Sequence, residues 1–180
     1  MTLLSFRTAT LADVDAIIPL VESAYRGDAS RKGWTTEADM LDGQRIDRQL
    51  LIELIERPDA RVILLERNAE LLACCELQDQ KGFAYFGMFS VKPEGQGSGI
   101  GNRLLVEAER VAAQEWHCRE MRMTVIDIRN ELIAWYERRG YQRTGEYKPF
   151  PYGDERFGIP RRDDLRFEVL RKELDSQSSE

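Results

Sequence analysis

The chain has 180 residues, 42% apolar and 32% charged, which suits one soluble globular domain with a real core. Its 26 Lys and Arg against 32 Asp and Glu leave a net charge of −6, which argues against general binding to nucleic acid or to an anionic membrane surface. Three cysteines without ligand spacing and a single histidine, His117, argue against a disulfide framework, a metal site and most histidine-based chemistry.

No apolar run approaches the ~20 residues of a membrane span. The first ten residues lack a basic stretch followed by a long apolar one, so no signal peptide and a cytoplasmic location are expected. Leu3 to Arg7 reads as a first strand, and Thr10-x-x-Asp13 as a capping-box helix start. Val14, Ile17, Ile18 and Val21 recur at helical spacing, predicting an amphipathic helix over 11–25 with Pro19 as a blemish. Residues 26–43 are polar and glycine-containing and read as a long loop, a place where function often sits. Ile46, Leu50, Leu51, Leu54 and Ile55 predict a second helix, stopped at Arg57-Pro58.

Val62–Glu66, Leu71–Leu77 and Phe83–Val91 have strand length, and their short separations favour antiparallel hairpins. In the third, simple alternation puts Ala84, Phe86 and Met88 on one face and Tyr85, Phe89 and Val91 on the other. That predicts a central strand covered on both sides. Gly87 in its middle predicts a bulge or a close backbone approach. A glycine-rich turn (94–101) and a helix bearing Leu104, Leu105, Ala108, Val111 and Ala112 come next, then a strand at Met121–Ile126. A further helix (130–139) stops at Gly140, and Tyr141–Tyr147 and Leu165–Leu170 read as strands. The expected fold is α/β: a mixed central sheet of about seven strands flanked by about four helices. Residues 1–172 read as one domain and 173–180 as a disordered tail.

The stretch from Phe89 to Leu105 carries the most chemistry. A buried strand runs into glycines that open a helix, whose first N–H groups are unpaired and carry partial positive charge, an arrangement that suits a phosphate. A Walker loop is excluded because no lysine follows these glycines, and a dinucleotide-binding G-x-G-x-x-G is one position out of register. Gln96-Gly97-Ser98-Gly99-Ile100-Gly101 resembles the Q/R-x-x-G-x-G/A motif of the GCN5-related N-acetyltransferases. Phe-Ser-Val-Lys-Pro stands before it and Arg-Leu-Leu after it. Trp135-Tyr136 through Gly140-Tyr141 is similar to that family's Y-x-x-x-G-F ending.

This resemblance implies direct acetyl transfer from acetyl-CoA, as co-substrate and without a metal, to a primary amine of a small molecule or peptide. The implied cofactor-binding residues are Phe89, Ser90 and Val91 on the strand and Gln96, Gly97, Ser98, Gly99, Ile100, Gly101 and Asn102 in the turn and helix start. Where the family carries a cofactor-contacting asparagine, this chain has Arg129, with Asn130 one residue later. Either could contact the cofactor, and Asn130 could equally cap the helix. Tyr136 is the implied general acid. Glu76, near its strand end, is either a base acting through water or an ordinary exposed charge.

By the same resemblance, loops 26–43 and 148–164 frame the acceptor, with Trp34 and Arg156 as candidate substrate residues. Residues 138–172 carry ten basic and six acidic side chains, so their arginines either recognise an acidic acceptor or lace a solvated strand pair with salt bridges. A non-catalytic acyl-CoA sensor on the same fold is the alternative function, and a homodimer is the commonest symmetric assembly.

Overall fold

The computed structural model describes residues 3–25, 41–42, 46–93, 99–154 and 158–175. β1 (Leu4–Thr8) leads through a 3-10 turn (Leu11–Asp13) into α1 (Val14–Tyr25), which continues through Pro19. Then come β2 (Leu41–Asp42), α2 (Arg48–Glu56), β3 (Ala60–Arg67), β4 (Glu70–Asp79), β5 (Phe83–Val91) and α3 (Ile100–Arg110), which widens into a π-type turn at Val111–Glu115. β6 (Glu120–Ile126), α4 (Asn130–Glu137), β7 (Gln142–Pro149), β8 (Ile159–Pro160) and β9 (Arg166–Glu173) complete the order. The last strand thus runs one residue past 172, and the Leu174 N–H donates to the Arg119 carbonyl.

Local chemistry explains the element ends. Asp47 caps α2 by accepting from the Leu50 N–H at 3.0 Å. Arg57, which precedes a proline, is extended and ends that helix. The β3–β4 hairpin turns on Asn68 and Ala69, both left-handed, as the twist of a two-residue hairpin requires. Gly140, φ +99°, closes α4, with the Tyr141 N–H reaching back to the Tyr136 carbonyl.

Seven strands form one mixed sheet in the order β1-β3-β4-β5-β6-β9-β7, so β5 is the middle strand, as its two apolar faces predict. Every neighbouring pair is antiparallel except β5 and β6. α1 and α2 cover one face over Val62, Leu64, Cys74 and Met88. α3 and α4 cover the other over Leu65, Cys75, Phe86, Phe89 and Met121. Cys74 and Cys75 are buried on opposite faces, and burial pushes the Cys75 thiol well above its usual range, so it packs as a small apolar side chain.

At the domain edge, Arg7 binds the Asp13 carboxylate at 2.9 and 2.7 Å and Glu66 at 3.1 and 3.0 Å, while the Thr10 N–H donates to Asp13 at 2.8 Å. The Arg7 guanidinium holds the Asp13 carboxyl at about 2. This lies below the unfolded value of about 3.9, so the stabilisation is complete above about pH 4 and is lost as pH falls towards 2. Asp13→Ala should lower Tm at pH 6 by about 2–4 °C, the effect of losing ~1 kcal/mol of capping. In thermal melts the two proteins should converge as the pH drops to 2 and below.

Candidate active site

The single parallel pair makes the site. β5 and β6 pair only over Phe83–Tyr85 and Glu120–Arg122. β5 continues to Val91 and β6 to Ile126, so the strands part and leave a wedge in the middle of the sheet. A cavity of about 290 Å³ occupies it.

The wedge side of β5 is shaped by a bulge. Cys74 pairs with Ser90 but Glu76 pairs with Gly87, so Met88 and Phe89 together stand against Cys75 alone. Met88 is left-handed, φ +52°, and the Ser90 hydroxyl donates to its carbonyl at 3.0 Å. The inserted residue resets the alternation. Met88 packs beneath α1 and α2, while Phe89 and Val91 join Ala84 and Phe86 beneath α3 and α4. The two-faced assignment from simple alternation is therefore corrected for Met88, Phe89 and Val91: an extra residue flips every later side chain.

Gly87 serves a close approach. A Cβ there would lie 2.7 Å from Glu76 Oε1 and 2.8 Å from Tyr85 Cε2, so its absence lets the Glu76 carboxylate lie over the strand. Gln78 donates to the other Glu76 oxygen at 2.8 Å. Glu76 lines the cavity, as do Phe89, Arg129 and Tyr136. Four candidates spread over more than sixty residues of chain thus meet at one cavity.

Tyr136 sits in an aromatic cluster, its ring centroid 6.5 Å from Phe86, 6.2 Å from Phe89, 5.3 Å from Trp135 and 5.8 Å from Tyr141. It is buried, and that burial pushes its phenol well above the ordinary tyrosine range; neighbouring Tyr25 adds to the rise and Arg129 opposes it. The neutral, proton-bearing form is the one this environment favours.

At the other end of β5, α3 begins on Gly99, whose φ of +85° suits glycine. Gly101 lies against Phe89: a Cβ would come within 2.9 Å of the ring's Cζ. Ile100 is buried, and Asn102 accepts from Arg139 Nε at 2.8 Å. Arg139 also stacks on Trp135, 3.7 Å from the ring centroid, which brings a guanidinium to the first turn of α3. The unpaired N–H groups of that turn and a glycine-lined approach fit a pyrophosphate, and the wedge beyond them fits an extended chain ending near Tyr136.

Other predicted residues fall elsewhere. Ser90 and Val91 are buried within β5. Asn130 is exposed as the first residue of α4; the cap position belongs to Arg129, so the capping reading of Asn130 is corrected. Trp34, Gln96, Gly97, Ser98 and Arg156 lie outside the described residues. The two segments expected to frame an acceptor do meet, since β2 pairs with β8 through Leu41–Pro160 and Asp42–Ile159. Arg162 in the second segment is bound to Asp164 at 2.9 and 2.8 Å.

Sequence reasoning missed Tyr25, whose hydroxyl donates to the Phe89 carbonyl and whose ring lies 5.5 Å from the Arg129 guanidinium carbon. In sequence it merely extends the apolar stripe of α1. Phe167, which the sequence marks only as a strand residue, lines the cavity beside Phe150, their centroids 5.7 Å apart.

Over residues 22–141 the chain matches the family model described as Acetyltransferase (GNAT) family. Its fold is similar to that of the Escherichia coli ribosomal-protein-S18-alanine N-acetyltransferase, with a TM-score of 0.71 at 13% identity over 96% of this chain and 95% of that one. An N-acetyltransferase from Staphylococcus aureus Mu50 gives 0.72 at 13% identity over 96% and 98%. The Salmonella typhimurium protein yncA, solved with its cofactor acetyl-CoA, gives 0.68 at 17% identity over 98% and 96%. No curated protein matches significantly by sequence. The splayed mixed sheet, with four α-helices among the described residues, is the acetyltransferase fold. The chain belongs to the GNAT family of acetyltransferases.

Proposed function

We propose that this protein transfers the acetyl group of acetyl-CoA directly to a primary amine of a small molecule or peptide. The observation that carries the reading is the wedge between β5 and β6, with Tyr136 and Glu76 both on its lining. Bound acetyl-CoA would supply an acetyl group already activated as a thioester.

The chain's own residues then divide the work. N–H groups from Gly99 to Asn102, with Gln96, Gly97 and Ser98 before them, hold the pyrophosphate. The β5 backbone at the bulge, where one residue leaves the ladder with β4, aims an N–H at the acetyl carbonyl. Glu76 accepts a proton from the incoming ammonium, directly or through one water. Tyr136 keeps a proton directed at the departing sulfur. Because its phenol is held high, it acts as a hydrogen-bond donor throughout, and complete transfer costs more than the ordinary values of ~8.5 for a thiol and ~10 for a phenol would suggest. No nucleophilic side chain and no covalent acyl-enzyme are needed. A cytoplasmic setting agrees with three cysteines that are all buried thiols.

Release of free thiol from acetyl-CoA, measured across a panel of amines, tests the reading. Tight cofactor binding with no release on any amine would favour a sensor instead. Glu76→Gln should lower kcat/KM at pH 7 about 100-fold, the low end for loss of a general base. The deficit should shrink as pH rises, because more of the amine arrives unprotonated. An unchanged pH profile would remove Glu76 from the proton path.

A further inference from the structure

Among the described residues that line the wedge cavity, two carry charge, Glu76 and Arg129. Arg129 is 8% exposed, and its guanidinium is held by partners within the protein, the Tyr25 ring among them. The backbone explains its placement: β6 ends at Ile126, the Arg129 N–H returns to the Ile126 carbonyl at 3.0 Å, and α4 starts at the next residue. Arg129 therefore stands at the end of the wedge that holds Tyr25, Phe150 and Phe167.

None of Gly99, Ile100, Gly101 and Asn102, at the glycine-opened start of α3, lines this cavity, whereas Arg129 does. The part of acetyl-CoA that reaches the wedge is neutral, and amides do not need a guanidinium. A guanidinium has five N–H donors, enough to serve a protein partner and a bidentate carboxylate together.

Resting on the acetyl-transfer reading above, we propose that the acceptor is an α-amino acid with an apolar side chain. Its carboxylate pairs with Arg129, its amine faces Glu76, and its side chain packs on Phe150 and Phe167. One guanidinium and one carboxylate in an otherwise mostly apolar, aromatic lining complement a zwitterion. The same cation penalises polyamines and peptide N-termini, which bring positive charge or no nearby carboxylate. The ammonium first loses one proton through Glu76 to solvent; the free amine then attacks the acetyl carbon as the C–S bond breaks, its second proton passes to Glu76 or its water, and the thiolate, hydrogen-bonded by Tyr136, takes up a proton from solvent to leave as the thiol of coenzyme A.

The experiment compares phenylalanine, methionine and leucine with their amides and decarboxylated amines, reading thiol release by wild type, Arg129→Gln and Arg129→Lys, with acetyl-CoA affinity measured in parallel. Amides are weaker bases and present more free amine, so basicity alone would favour them. The expected result is a kcat/KM preference of about thirtyfold for the free amino acids in wild type, within the range for losing one partner of a buried charge pair. Arg129→Gln should abolish the preference, mainly through KM, and Arg129→Lys should restore part of it, both with acetyl-CoA affinity kept. Equal or better turnover of amides, polyamines or peptides overturns the proposal and leaves acetyl transfer standing, as does a preference unchanged in Arg129→Gln. If that variant does not fold, the wild-type preference and Arg129→Lys decide. No thiol release from any amine overturns the acetyl-transfer reading and this one with it.

Discussion

Tyr136→Phe should lower kcat by about 100- to 1,000-fold while leaving acetyl-CoA affinity and Tm nearly unchanged, the range expected for loss of one positioned acid. The substitution removes a hydroxyl and keeps the ring that packs on Phe86, Phe89, Trp135 and Tyr141. Its effect is therefore confined to the proton that the phenol directs at the sulfur. Burial raises the phenol, so deprotonation is disfavoured and the active form persists as the pH climbs. The wild-type kcat profile should accordingly show no falling limb from this residue below about pH 10. A Phe variant with full kcat, or a basic limb near neutrality that disappears in the variant, would remove Tyr136 from the chemistry.

Gly101→Val should raise the acetyl-CoA dissociation constant by roughly 10- to 100-fold and destabilise the protein by about 2–3 kcal/mol, or some 4–12 °C in Tm. The reason is a contact between two parts of the site. A Cβ at this position meets Phe89 Cζ at 2.9 Å, and that ring cannot swing aside: it is buried, 5.5 Å from Phe86 and 5.5 Å from Trp135. Either the ring moves and disturbs the bulged strand, or the first turn of α3 lifts away. Lifting the turn takes its N–H groups out of reach of an anion. Gly82 offers a control, because a Cβ there meets nothing within 4 Å; its φ of +118° makes Gly82→Ala strained locally without touching the site. Equal acetyl-CoA affinity in wild type and Gly101→Val would show that the start of α3 does not hold the cofactor.

Much of the fold was legible because local rules agreed with the global one. Alternation and hairpin spacing marked β3, β4 and β5, and a strand apolar on both faces had to be central. The one failure within β5 came from its bulge. Gly87 announced an irregularity, but a single glycine does not say which residue is added or which later side chains change face. Among the residues that line the wedge cavity, motif register singles out Tyr136 and strand position Glu76. Tyr25 was hidden because an aromatic residue on the apolar stripe of α1 looks the same whether it fills the core or donates to the Phe89 carbonyl.

Sequence alone determined the α/β class, the glycine-opened helix, the Tyr136 register and an acid–base inventory with one histidine, since these depend on composition and on neighbours within a few residues. Tertiary structure alone decided where β5 and β6 part. It also decided that Glu76, Arg129 and Tyr136 line one cavity, and that Arg129 is a buried cation there rather than a surface one. The physical reason is range. Periodicity and capping are written in contacts between near neighbours, whereas a wedge exists only where two strands more than thirty residues apart stop sharing hydrogen bonds.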